Sequence, residues 1–151
     1  MYNIMSLLDS KYFHIGFPIF LASFMNYVIF SNHWNKISTK NNFLPPGYII
    51  GLIWTIIFGL LGYVNYLLYV NKQWMASFSI IALLLFCICY PLFTIGLSNL
   101  KIANVLNSVT LILSFVVAIV VFDASRNAFK YMIPLLVWAS YVNIADRLYS
   151  V

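Results

Sequence analysis

Charged residues are few and clustered along this chain, and long hydrophobic stretches separate the clusters. A helix needs about 20 mostly apolar residues to cross a hydrocarbon core of about 30 Å. Five intervals of the chain contain no charged residue, and the first four are each long enough to cross the membrane. The fifth is long enough if the Lys130 side chain extends to one interface while Asp146 and Arg147 lie at the other. The five intervals are 12–35, 41–71, 73–100, 102–122 and 131–145.

The pattern inside these intervals predicts helices. Stretches 80–88 and 111–121 present apolar residues on every face, which suits a helix surrounded by lipid and by neighbouring helices. Strands of a membrane barrel would instead alternate apolar and polar positions over about ten residues. The predicted fold is an all-α membrane protein, a single domain over 1–151 that forms a bundle of five transmembrane helices at about 13–31, 47–70, 76–97, 102–122 and 127–148.

The connections between the spans predict how the helices are arranged. Spans two to five are joined by only a few residues, so they should be antiparallel neighbours. The loop from Asn32 to Pro46 is the one connection long enough to cover part of the bundle. We call the membrane face at the start of the first span side A and the opposite face, which carries this loop, side B.

The N-terminus lacks the features of a cleaved secretory signal, so the first span is expected to stay in the mature protein.

Composition excludes a water-soluble domain. Hydrophobic residues make up 64% of the chain and charged residues 7%, whereas soluble domains are about 25% charged. The net charge of +5 is spread over short loops without a polybasic run, which argues against nucleic acid and leaves the lipid bilayer as the expected partner. The eight basic residues divide equally between the two faces, so the positive-inside rule gives no orientation.

Two of the four tryptophans lie deep within predicted spans. Trp54 is on the order of 10 Å below side B at about 1.5 Å per residue, and Trp138 is near the middle of the membrane. An indole N–H at such a depth needs a partner in the protein, a water or a ligand. The pair is either packed between helices or forms the aromatic walls of an apolar ligand pocket. Trp34 and Trp74 fit ordinary interfacial positions.

Prolines and glycines mark the second span. Pro45 and Pro46 predict its start, because proline lacks the backbone donor that the first helical turn leaves unpaired. Gly47 and Gly51 form a GxxxG pair, and further glycines keep the same face of the helix thin. Close packing against another helix explains this pattern without any ligand.

The sequence predicts neither a catalytic residue nor a metal site. His14 and His33 have no second ligand at metal-binding spacing. Cys87 and Cys89 point to different faces of one helix and are interpreted as packing residues. Asp146 beside Arg147 is interpreted as an interfacial ion pair. A loose sterol-contact pattern, weak as a signal, is present in Val137, Tyr141 and Arg147.

Several motifs resemble those of the translocator protein family, also called the tryptophan-rich sensory protein family. The resemblance is carried by Leu44-Pro45-Pro46-Gly47-Tyr48, Ile53-Trp54-Thr55 and Leu61-Gly62-Tyr63 in the second span, by Pro91-Leu92-Phe93 in the third, and by residues 134–141 in the fifth. It implies a five-helix bundle, frequently a homodimer, with a cavity beneath the first loop. That cavity binds porphyrins and sterols in the family, so porphyrin or haem is expected as a ligand and no cofactor is required.

The resemblance also implies where the ligand binds. Trp54 and Trp138 match the two cavity tryptophans of the family, which are associated with porphyrin binding. The expected site residues are Phe43, Pro45, Pro46, Tyr48, Trp54, Pro91, Phe93, Trp138 and Tyr141. Three departures put the ligand preference in question: residues 86–90 lack the usual Asn and Trp, Asp146 replaces an Asn, and Phe43 replaces a loop tryptophan.

Three functions are therefore considered. The leading hypothesis is an integral membrane receptor or carrier for porphyrins, and for sterols, located in the mitochondrial outer membrane or another organelle membrane of a eukaryote or in the cell membrane of a bacterium. The second is light-dependent porphyrin breakdown, which leaves the question of enzymatic activity open. The third is a small channel or transporter subunit, whose polar pathway would need the span asparagines Asn26, Asn65, Asn107 and Asn143.

Overall fold

The structure is a computed structural model that describes residues 10–31, 43–94 and 100–149. All of its regular elements in these ranges are helical, which confirms the predicted fold class. The elements are α1 (Lys11–Ser31), α2 (Gly47–Val70), α3 (Trp74–Thr94), α4 (Leu100–Ala124), α5 (Arg126–Phe129), a 3-10 turn (Lys130–Met132) and α6 (Ile133–Tyr149).

Five segments are long and apolar enough to cross a membrane, and they agree with the five predicted spans. The fifth segment, Arg126–Leu148, combines α5, the 3-10 turn and α6. The bounds of α2 match the prediction, whereas α3 begins at Trp74, two residues before the predicted start. The predicted end of the third span, at residue 97, lies outside the described residues.

Local chemistry accounts for the ends of α2. The carbonyl oxygen of Pro46 accepts hydrogen bonds from the backbone N–H groups of Ile49 (2.9 Å) and Ile50 (3.2 Å), so the helix begins where the prolines predict. At the other end Lys72 adopts φ 58°, in the left-handed region. The N–H of Lys72 then donates to the carbonyl of Tyr69 (3.0 Å) and the N–H of Gln73 to that of Leu68 (2.9 Å), which closes the helix.

The fifth span is not one regular helix. Ser125 caps α5 by accepting a hydrogen bond from the backbone N–H of Ala128 at 3.3 Å. The 3-10 turn follows immediately, just before Pro134. Because Pro134 has no N–H to continue the α-helical ladder, the chain tightens here before α6 continues regularly. Proline thus interrupts the predicted single helix near its side-A end.

Helix α2 is at the centre of the bundle. It packs along the whole of α1, against α3, and against the side-A part of the fifth span, while α4 packs against α3 and α6. The core is made of fully buried apolar side chains from α2, α3, α4 and the fifth span. The largest are Leu61, Leu68, Ile80, Met132, Leu135, Val64 and Val121.

Three glycines of α2 form the contact with α1. A Cβ atom built on Gly51 would lie 2.8 Å from the side-chain oxygen of Asn26, and one on Gly62 would lie 2.2 Å from the backbone oxygen of His14. On Gly59 it would lie 3.0 Å from Ile19. The interpretation of this face as a close helix contact is therefore confirmed for these three glycines, while Gly47 is exposed at the start of the helix.

Replacing Gly62 by alanine should separate α1 from α2, because the added methyl group would collide with the His14 backbone. Overpacking of this kind lowers the free energy of unfolding by about 1–3 kcal/mol. Gly62→Ala should therefore melt at a lower temperature in detergent. Gly16→Ala is the matched control, since nothing lies within 4 Å of the Cβ that it would add. Thermal unfolding followed by circular dichroism compares them, and equal melting temperatures would contradict the close contact.

Candidate functional site

Helix α2 and the fifth span approach each other closely only near side A. There α2 contacts α5 and the 3-10 turn, and the ring of Tyr63 meets that of Tyr131 edge-on at 4.9 Å. Between α2 and α6 close backbone approaches are few at most. The two helices therefore diverge toward side B, and their side-B halves carry Trp54 and Trp138.

Trp138 lies inside the bundle with an unsatisfied donor. Its side chain is only 8% exposed and belongs to the hydrophobic core. The indole ring lies 5.6 Å from the ring of Tyr141, centroid to centroid. Among the described residues no acceptor is within hydrogen-bond distance of its buried Nε1–H group. An unpaired buried donor costs about 1–3 kcal/mol, so an acceptor placed here would be bound favourably.

Trp54 lies at the edge of the same core. Its side chain is half-buried and packs against the core cluster that contains Trp138. Its ring meets Phe58 edge-on at 6.1 Å. Both deep tryptophans thus contact the bundle interior. This agrees with packing between helices and also with a role as walls of a ligand pocket.

A hydrogen bond ties the last span to the segment that precedes α2. The Tyr141 hydroxyl donates to the backbone carbonyl of Phe43. The exposed side chains of Phe43 and Tyr141 are therefore brought close to buried Trp138, and all three are expected at the site. Pro45 is half-buried and Pro46 is exposed at the start of α2. The rest of the predicted covering loop, residues 32–42, lies outside the described residues.

The remaining expected site residues are placed less centrally. Tyr48 and Phe93 are exposed, and Pro91 is half-buried within α3. Of the sterol-contact residues, Val137 is exposed one turn before Tyr141, and Arg147 is exposed close to the side-B end. Sterol contact at these residues stays a prediction.

A polar cluster at the side-B end joins α3, α4 and α6, and sequence reasoning missed it. The Asn107 amide donates to the Asp146 carboxylate, and its side chain is also hydrogen-bonded to Tyr90. The Asn143 amide donates to the Asn107 carbonyl at 2.8 Å, and its side-chain oxygen accepts from Ser108 at 3.1 Å. Half-buried Asp146 is thus part of this network, beyond the predicted pairing with Arg147.

A signal for this cluster was present in the sequence. Asn143 and Asp146 are three residues apart and so share one face of a helix. Asn107 lies at a similar distance from side B on the preceding span. Polar residues at equal depth on neighbouring spans are candidates for pairing, because lipid offers no alternative partner.

Two more polar contacts link α1 to the bundle. The Asn26 amide donates to the Gly51 carbonyl at 3.0 Å and to the Thr55 hydroxyl at 3.1 Å. Near side A, Asn65 is hydrogen-bonded to His14 at 3.1 Å, and its side-chain oxygen accepts from Ser77 at 2.6 Å.

All four span asparagines are therefore engaged in contacts between helices. A channel would need such amides to face a solute pathway. Their engagement in contacts between helices weakens the channel hypothesis.

The cysteines fit their predicted packing role. Cys87 belongs to the buried core and Cys89 is half-buried, and neither forms a disulfide. In the described parts of the chain no three His, Cys, Asp or Glu side chains are grouped so as to hold a metal ion.

Comparison with known proteins gives one match. A family model described as the TspO/MBR family matches residues 14–146, which is most of the chain. No match is found among curated proteins or among solved structures.

Substitution of Asp146 tests how much its contact with Asn107 contributes to stability. In Asp146→Leu the Asn107 amide loses its acceptor inside the bundle, so the variant should be destabilised by about 1–2 kcal/mol. Asp146→Asn keeps a side-chain oxygen in place and should melt close to the unsubstituted protein. Thermal unfolding in detergent measures both. If the two variants lose the same stability, the contact with Asn107 is not what holds these helix ends together.

Proposed function

The chain belongs to the TspO/MBR family, and on this basis we propose that it is a membrane receptor or carrier for tetrapyrroles, with sterols as a second ligand class. The protein is an integral multi-pass membrane protein, so a ligand of this kind would reach it through the bilayer. We place the tetrapyrrole in the side-B half of the bundle, between α2 and α6. Trp54 and Trp138 are the side chains proposed to face it.

The observation that carries this proposal is the unpaired indole N–H of Trp138. The group is buried in a span, where neither water nor lipid supplies an acceptor. A porphyrin carboxylate or another ligand oxygen would satisfy this group, and a hydrogen bond to an ionised acceptor is the stronger kind. The proposed ligand therefore relieves a cost that the unliganded protein bears.

The aromatic side chains nearby suit a flat macrocycle. The indole of Trp138 and the ring of Tyr141 lie 5.6 Å apart with 36° between their planes, so the two rings form one aromatic surface at this level. Aromatic rings stack favourably on such a surface, and burial of the macrocycle's apolar area would supply most of the affinity. The bond from Tyr141 to Phe43 holds the chain next to the proposed site.

The divergence of α2 from α6 supports the same location. Helix α2 contacts α5 and the 3-10 turn closely near side A but α6 only loosely toward side B, so the side-B half is the easier one to open. A planar ligand could separate two helices there without breaking backbone contacts.

Substituting Trp138 tests the proposal. Trp138→Phe keeps an aromatic face but removes the donor, and should weaken protoporphyrin binding about tenfold, the value of one hydrogen bond to a charged acceptor. Trp138→Ala also removes the stacking surface and should weaken binding by about a hundredfold. Titration of detergent-solubilised protein, followed by the shift of the porphyrin absorption band, measures both without relying on tryptophan fluorescence.

Trp74→Ala is the matched control. Trp74 is the same residue type, is 50% exposed, and lies at the side-A end of α3 against Tyr69. It should bind protoporphyrin as the unsubstituted protein does. Unchanged affinity in folded Trp138→Phe and Trp138→Ala would remove Trp138 from the site. Titration with the dimethyl ester of protoporphyrin adds a further check. Its ester carbonyls still accept hydrogen bonds but carry no charge, so the difference in affinity between the unsubstituted protein and Trp138→Phe should become smaller.

A further inference from the structure

Lys11 lies deeper in the membrane than its position at the start of α1 would indicate. The backbone of His14 abuts Gly62, so these two residues are at the same level. From Gly62, α2 continues for eight residues to side A, about 12 Å, whereas α1 extends only three residues from His14 to Lys11, about 4–5 Å. Lys11 is therefore about 7 Å below the side-A end of α2.

The Lys11 side chain turns toward α2. Its ammonium lies 4.9 Å from the centre of the Tyr63 ring. No carboxylate among the described residues pairs with it. A cation at this depth is costly without a compensating anion. The first turn of α1 contains no acidic residue, and the positive end of the helix dipole is at the same place.

A groove between α1 and α2 begins at this lysine. It is a shallow, open groove with a volume of about 390 Å³, and it is otherwise lined by apolar side chains, by Gly59 and by Tyr63. Gly59 is buried in the contact with α1, whereas Ile56, which also lines the groove, is 55% exposed. From Lys11 to Ile19 the groove extends along eight residues, about 12 Å, which is close to the thickness of half a hydrocarbon core. The lining residues are Lys11, Ile15, Ile19, Ile56, Gly59, Leu60 and Tyr63.

We propose that this groove binds one anionic phospholipid from the side-A leaflet. One acyl chain lies along the isoleucines, and the phosphate lies at the Lys11 ammonium, within reach of the Tyr63 hydroxyl. An apolar groove of one-leaflet length with a cation at its headgroup end has the complementary shape and charge for such a lipid. A zwitterionic lipid fits less well, because its headgroup brings a second cation near Lys11. The site is separate from the tetrapyrrole site, which is in the side-B half.

The test is lipid selectivity of the full-length protein. The protein is incubated in detergent with equimolar phosphatidylglycerol and phosphatidylcholine of identical acyl chains, and retained lipid is counted by native mass spectrometry. The unsubstituted protein should retain one phosphatidylglycerol about fivefold over phosphatidylcholine, the effect of about one basic residue near a membrane surface. Lys11→Gln should reduce this preference to near parity. Lys72→Gln, which removes a charge from the side-A turn outside the groove, should leave it unchanged.

A second pair of variants tests the groove itself. Ile56→Phe narrows it and should reduce retention of both lipids. Leu52→Phe makes a similar change one turn away, at an exposed position outside the groove, and should not. Equal losses of selectivity in Lys11→Gln and Lys72→Gln would overturn the proposal in favour of general surface charge. A shift from dimer to monomer in both Lys11→Gln and Ile56→Phe, measured by light scattering, would also overturn it, because a second copy would then occupy the groove.

Discussion

Hydrocarbon offers no hydrogen-bond partner, and this constraint governs the structure at every level. It requires the spans to be helical, since only a helix satisfies its own backbone within one segment. It also requires the few polar side chains in the spans to find partners on neighbouring helices. Asn26, Asn65 and Asn107 do so through contacts that join α1 to α2, α2 to α3, and α4 to α6. These contacts fix the relative positions of the helices more specifically than packing of apolar side chains does.

The contact between α1 and α2 shows how polar contacts position a helix that buries few side chains. Only Pro18 and Ala22 of α1 are buried, so hydrophobic packing holds this helix weakly. Glycines in α2 let the two backbones approach, and amide contacts at both ends fix their register. Dispersion between close backbones and interhelical hydrogen bonds are the forces that remain when the surroundings are as apolar as the side chains. The same close approach places Lys11 below the side-A end of α2.

Against this background the Trp138 indole stands out, because its buried N–H group has no hydrogen-bond partner among the described residues. Its donor is buried where the rest of the bundle would supply a partner, and it lies where α2 and α6 separate. Buried groups left unpaired at a point of loose packing are typical of binding sites, because a ligand supplies what the protein lacks. The polar cluster around Asp146 lies about two helical turns away along α6. There a carboxylate occupies a position at which the resemblance leads one to expect an amide.

The sequence by itself determined the number, helical nature and approximate positions of the spans, because hydrophobic length and proline positions are local properties of the chain. It also located Trp54 and Trp138 in depth and carried the motifs of the family. Only the tertiary structure decided which faces meet: Asn107 with Asp146, Tyr141 with Phe43, and Lys11 with Tyr63. The sequence of a helix that is apolar on every side does not indicate which face turns toward the bundle. These pairings therefore depend on glycine contacts and on polar partners in other helices, which fix the rotation of each helix about its axis.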